Sequence, residues 1–176
     1  VMMVACYADA VDSSSTVLIS SADWTTGTDN YIKIYTPVGT DEVGTSQRHN
    51  GVWDTGAYRL EVGGDSVLDI REENVRVDGL QVWMTTDTNN VVGIEMRSTT
   101  GTGDYEVSNC IIRGNGNGST DIRIGINLWD SGTGVLKAWN NVIYDWLGGT
   151  GTYVSGIVPD DAGYTFYLYN NTVVDC

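Results

Sequence analysis

A parallel β-helix of about five to six coils, some 31 residues each, is what this sequence predicts, and three observations predict it. The segments VRVDGLQV from Val75, YEVSNCII from Tyr105, LKAWNNVI from Leu136 and FYLYNNTV from Phe166 superimpose at a near-constant offset. Their apolar anchors keep register: Val77, Val107, Ala138 and Leu168 in one column, Val82, Ile112, Ile143 and Val173 in another. Between these segments a second phrase recurs, VVGIEM, RIGINL and VSGIVP, aligning Gly93, Gly125 and Gly156 beside Ile94, Ile126 and Ile157. Finally, Asn109, Asn140 and Asn170 share a column, followed by Cys110, Asn141 and Asn171. A fixed period of this size marks units that bury their apolar faces only against their neighbours.

Each unit is made of short alternating or β-branched runs broken by Gly, Asn, Asp, Ser and Thr, so helical repeats are excluded. The leucine-rich frame is absent, and a propeller blade needs more residues than one unit holds. In the remaining architecture, coils lie about 4.8 Å apart and like residues stack vertically. Asparagine suits its corners, because it tolerates left-handed backbone and its amide can bond to the same amide one coil away. Hairpin turns would also use Asn-Asn pairs, but they do not explain the register of the flanking apolar positions.

The phrases SNCIIRG, WNNVIYDW and YNNTVVDC, with YIKIYTP and RHNGVWDTGAYRLEV before them, resemble the coils of right-handed parallel β-helix proteins of the pectate-lyase-like superfamily. The resemblance spans Tyr31 to Cys176. It implies the fold and an extracellular, cell-surface or virion setting, but no single activity, because one fold hosts many functions.

Residues 1–176 are expected to form one elongated domain: 1–64 as less regular N-terminal coils with a long loop at 36–57, and 65–176 as regular coils. Strands are expected at Val1 to Cys6, Thr16 to Ser20 and Tyr31 to Tyr35. Strand-like ends lead to the further expectation that these residues are part of a longer chain or that copies stack end to end. The partners expected are therefore flanking coils or copies of itself, with polysaccharide as a ligand. A net charge of −14, from 23 acidic and 9 basic residues, opposes binding to nucleic acid, and no apolar run is long enough to insert in a membrane. Cys6, Cys110 and Cys176 fit no zinc spacing, and Cys110 is expected to be a buried thiol.

Outward positions are where function must reside. One column holds Asp78, Ser108, Trp139 and Tyr169, and another Trp83, Arg113 and Tyr144. Trp139, Tyr169, Trp83 and Tyr144 are the candidate carbohydrate-binding residues, Trp139 and Tyr169 forming a flat apolar strip for a sugar face. A third set aligns Arg97, Trp129 and Asp160, with Ser98, Asp130 and Asp161 beside them. Asp130, Asp160, Asp161 and Arg97 are the candidate catalytic residues, and Asp130 with Asp161 the candidate metal site. Carboxylates so close either hold a hard cation such as Ca²⁺ or share a proton; no cofactor is expected, with Ca²⁺ the single exception such a site would admit. Against catalysis, the Asn-x-Asp, Gly-His-Gly and Arg-x-Lys motifs that the resemblance would supply to a hydrolase are missing, and Asp is a routine turn residue.

His49, the single histidine, lies in a polar loop and is expected to be exposed, with no second ligand for a metal. The glycine-rich stretch Gly114 to Asp121 is expected to be a loop between coils, and Asn117 and Asn170 begin Asn-x-Ser/Thr tripeptides. The function expected is a structural or adhesive module contacting glycans, without chemistry of its own. A lyase or hydrolase acting on acidic polysaccharide is the alternative.

Overall fold

The chain is an all-β parallel solenoid of about five turns. The computed structural model describes residues 1–13, 16–20, 24–42, 46–86, 90–97, 102–116, 122–129, 132–148, 153–159 and 163–176. The first turn holds β1 (Met2–Ala5) and β2 (Val17–Ile19). The second holds β3 (Ile32–Tyr35), β4 (Arg59–Val62) and β5 (Ser66–Ile70), and the third β6 (Val75–Asp78), β7 (Gln81–Met84) and β8 (Val91–Met96). The fourth comprises β9 (Asp104–Ser108), β10 (Ile111–Arg113) and β11 (Arg123–Leu128), and the fifth β12 (Gly134–Trp139), β13 (Val142–Tyr144) and β14 (Val154–Pro159). A last pair, β15 (Tyr164–Tyr169) and β16 (Thr172–Val174), begins a sixth.

Three parallel sheets result: A (β1-β3-β6-β9-β12-β15), B (β4-β7-β10-β13-β16) and C (β2-β5-β8-β11-β14). Strand partners confirm the columns. Val77 pairs with Val107, Ala138 with both Val107 and Leu168, Ile112 with Val82 and Ile143, and Ile126 with Ile94 and Ile157. Leu168 apart, these side chains converge inside the coil, where each buried aliphatic group contributes about 1.5–3 kcal/mol. Trp146 lies wholly within this core and donates its indole N–H to the Ile112 carbonyl at 3.3 Å. The glycine column makes room for it. A Cβ at Gly93 would stand 2.7 Å from Ile112 Cγ2 and 3.0 Å from Trp146 Cζ2.

The corner between sheets A and B explains why the strands are so short. Asn109, Asn140 and Asn170 adopt φ of 53°, 56° and 53°, the left-handed turn that ends a strand, and Gly79 takes the same place one rung earlier with φ 81°. The corner asparagines supply conformation and a modest bond, Asn140 Nδ2 to Asn109 Oδ1 at 3.3 Å. The next column, inside the coil, carries the denser hydrogen bonding. Asn141 Nδ2 donates to the Val107 carbonyl (3.0 Å) and to Asn171 Oδ1 (3.0 Å), its own Oδ1 accepts from the Cys110 N–H (3.0 Å), and Asn171 Nδ2 donates to the Ala138 carbonyl (2.8 Å). Cys110 is buried as expected, and burial pushes its thiol up to about 12.

The described parts of the 36–57 excursion, residues 36–42 and 46–57, form a strap pinned across this corner. Arg48 donates to Thr36 Oγ1 (3.2 Å), to the carbonyls of Thr36 (3.2 Å) and Asp78 (3.3 Å), and pairs with the Asp78 carboxylate at 2.8 Å. That guanidinium requires a glycine at 79, since a Cβ there would meet Arg48 Nε at 2.2 Å. Farther along, Asp54 N–H donates to Gln81 Oε1 (2.6 Å), and Gln81 Nε2 returns a bond to the Asp54 carbonyl (2.8 Å). His49 differs from its expected exposure: the ring is half-buried, with Nε2 shielded from solvent, because the strap lies down on the coil instead of projecting from it.

Candidate functional site

Alternation along sheet A sends Val75 and Val77 inward and Arg76 and Asp78 outward, and the parallel register carries that choice across rungs. One outward column reads Lys33, Arg76, Glu106, Lys137 and Tyr167, and its neighbour Tyr35, Asp78, Ser108, Trp139 and Tyr169. Opposite charges meet across rungs from Arg76 onward, whereas Lys33 and Arg76 are like-charged neighbours. Glu106 sits between Arg76 (3.3 Å) and Lys137 (3.2 Å), and Asp78 binds Lys33 at 3.2 Å beside its bond to Arg48. Burial would raise the Asp78 carboxyl, yet the amide of Asn109 with Arg48 and Lys33 holds it below the usual carboxylate value. Four of the chain's 9 cationic side chains, Lys33, Arg48, Arg76 and Lys137, gather on this face or its edge, against Asp78, Asp104 and Glu106 of 23 acids. In a chain of net charge −14 such a grouping of cations lessens the local repulsion of a negatively charged ligand.

The aromatic column is a stack, where a flat strip was expected. The rings of Trp139 and Tyr169 are near-parallel, 10° apart with centroids at 5.8 Å, so one face of each is turned to the other. The second face of Trp139 looks toward the rung where the column shrinks to Ser108. A cleft of about 190 Å³ opens there, with Trp139 on one side, Ser108, Asn109, Asp78 and Glu106 along it, and Lys33, Arg76 and Tyr31 toward the earlier rungs. The Arg76 guanidinium rests 3.5 Å from the centre of the Tyr31 ring. One aromatic face beside fixed donors and acceptors is the kind of constellation that seats a polar ring.

The other aromatic pair belongs to sheet B and is occupied by the protein itself. Trp83, Arg113 and Tyr144 do form a column, and the Arg113 guanidinium carbon lies 4.4 Å from the Trp83 ring centre and 5.9 Å from that of Tyr144. Trp53 of the strap meets Trp83 edge-to-face at 6.1 Å, covering it further. The four predicted carbohydrate-binding residues thus divide between two faces; Trp139 borders the 190 Å³ cleft and Tyr169 an open one of about 430 Å³ at the last rung.

Sheet C carries Arg97. Its guanidinium makes two bonds to Asp69, Nε to Oδ1 at 2.9 Å and Nη2 to Oδ2 at 2.6 Å, and Arg71 adds two more to Oδ2 at 3.0 and 2.7 Å. These bonds raise the Arg97 pKa further, which opposes any role as a base. Trp129, in the next rung, is 62% exposed. Asp130, Asp160 and Asp161 lie outside the described residues, as do Ser98 and Asn117. Among the described residues no group of three or more His, Cys, Asp and Glu is placed to hold a metal ion, and no helix is long and apolar enough to cross a membrane.

Sequence reasoning missed the Tyr31–Arg76 contact and the cations grouped around it. The signal was present but displaced, because the strap stretches the offset between β3 and β6 to 43 residues where later rungs show 30 and 31. No family model, no curated protein and no solved structure matches this chain.

Proposed function

We propose that the chain is a structural or adhesive β-helix module of a cell-surface, filament or virion protein, of pectate-lyase-like kind, that holds acidic glycans against sheet A. The observation that carries this reading is the cleft beside Trp139, where an aromatic ring meets Lys33 and Arg76, set among Asp78 and Glu106, on a rigid sheet that continues to Lys137. Rigidity matters because a ligand that meets preset groups spends little free energy ordering them. A second copy is the protein partner that fits, since Leu168 and Val173 present apolar surface, 44% and 46% exposed.

The test is a titration with uronate-rich or sulfated oligosaccharides and with neutral ones, followed by tryptophan fluorescence. Saturable binding of the acidic class, weakened about tenfold or more by Trp139→Ala and by rising salt, is expected. Absence of saturable binding by any acidic oligosaccharide, or binding indifferent to Trp139→Ala, defeats the reading. Release of unsaturated or reducing ends in the presence of Ca²⁺, lost in Asp130→Ala or Asp161→Ala, would replace it with the degradative alternative.

A further inference from the structure

The strap contains a dipeptide whose chemistry the glycan reading leaves unused. Asn50 and Gly51 are both exposed, and Gly51 has φ 95° and no side chain to shield its nitrogen. Its N–H donates to His49 Nδ1 at 3.1 Å. The nitrogen able to attack the Asn50 side chain therefore already points its proton at a basic imidazole nitrogen. Asn115–Gly116 provides an internal contrast. There the Gly116 N–H donates to the Asp145 backbone carbonyl at 3.0 Å, which cannot accept a proton at neutral pH, and Asn115 Oδ1 is held by Arg123 Nη1 at 2.9 Å.

We infer that Asn50 is a modification site at which the chain deamidates and isomerises itself, with His49 as the general base. Gly51 N attacks Asn50 Cγ as its proton passes to His49 Nδ1, forming the new C–N bond of a succinimide. The bond from Cγ to the side-chain nitrogen then breaks, and ammonia leaves with the proton returned by the imidazolium. Water opens the ring at either carbonyl to give Asp or isoAsp at position 50. The balance is asparagine plus water to acid plus ammonia, with no oxidant or cofactor.

His49 is kept in its neutral, proton-accepting form near neutral pH: burial and the nearby Arg48 lower its pKa, against the Asn109 carbonyl and Asp54, which favour the charged form. The product places a new carboxylate two residues from Arg48. As isoAsp it also lengthens the backbone by one carbon between the Arg48 and Trp53 anchors, slackening the strap.

The experiment is timed incubation of the whole chain in mildly alkaline buffer, then trypsin digestion and mass spectrometry of the peptides His49–Arg59 and Gly114–Arg123. Amide-to-acid conversion at Asn50, split into Asp and isoAsp forms, is expected about tenfold or more faster than at Asn115, and His49→Gln is expected to bring Asn50 down by a similar factor. Equal rates at the two asparagines, or a rate at Asn50 untouched by His49→Gln while the strap stays folded, overturn the inference. Should His49→Gln loosen the strap, the pH profile of the unsubstituted chain decides. Loss of rate as one group protonates below the ordinary imidazole value, with a plateau above it, supports His49, whereas a rate that only follows hydroxide excludes it.

Discussion

The outer faces of sheets A and C are built by the same rule, polar side chains one rung apart, and they end in opposite states. On sheet A, Lys33, Arg76, Glu106 and Lys137 keep between 22% and 40% of their side chains exposed and share partners across rungs. On sheet C, Asp69, Glu95 and Asn127 occupy one outward column yet are 3%, 5% and 3% exposed. Val92, Ile124 and Val158 form a small apolar cluster of their own on that side, and Ser66 Oγ donates to Glu95 at 2.6 Å. The lesson is that pointing outward from a coil does not make a residue a surface residue. On sheet A the charges share partners and stay open to solvent; on sheet C the acids are committed to holding the coil together, and at its edge Arg71 and Arg97 line an open cleft of about 290 Å³ beside Asp69.

Substitutions can break or sharpen this contrast. The largest effect is expected from Asp69→Ala, which leaves Arg71 and Arg97 without the carboxylate that takes four of their hydrogen bonds. A loss of about 2–3 kcal/mol in urea unfolding is expected, and a loss no greater than that of Glu106→Ala on sheet A would abolish the contrast. Acid comes next. Asp69 and Asp78 both sit below the ordinary carboxylate value when folded, held there by their arginines and amides against the opposing effect of burial. The stability they contribute is therefore complete above the unfolded value of about 4 and drains as pH falls through it toward the lower folded values. Thermal melting across that range is expected to fall less steeply in Asp69→Asn and in Asp78→Asn than in the unsubstituted chain, each carboxylate carrying part of the slope.

Trp139→Ala removes one partner of the Tyr169 stack and is expected to cost about 1 kcal/mol, less than its effect on acidic oligosaccharide binding. A larger stability loss than binding loss would make Trp139 a packing residue and weaken the case for the cleft. Smallest is Glu106→Gln, whose two surface ion pairs are worth about 0.5–1 kcal/mol together, an amount that should vanish in high salt.

Much of the fold could be read from the chain because stacking turns sequence period directly into contact. Ala138 touches Val107 and Leu168 for the same reason that the three align, and Asn140 turns its corner as Asn109 does. What escaped was whatever broke the period. Lys33 and Tyr31 belong to the face with Arg76 and Trp139, but the strap moved them out of phase. Arg113 was legible as a column member, whereas its insertion among Trp83, Tyr144 and Trp53 depends on side-chain reach that spacing alone does not encode. His49 escapes for another reason: polarity in a loop does not tell an exposed loop from a polar strap lying on the coil.

The strap carries a broader consequence. It departs from the coil after Thr36 and rejoins it before Leu60, yet Tyr35 still faces Asp78 and Leu60 still faces Val82, as if nothing had been added. The bend joining these two walls therefore acts as a splice point. Foreign polypeptide grafted there would ride on the scaffold without disturbing the winding, so such a protein can acquire new contacts at its bends while the winding itself is inherited unchanged.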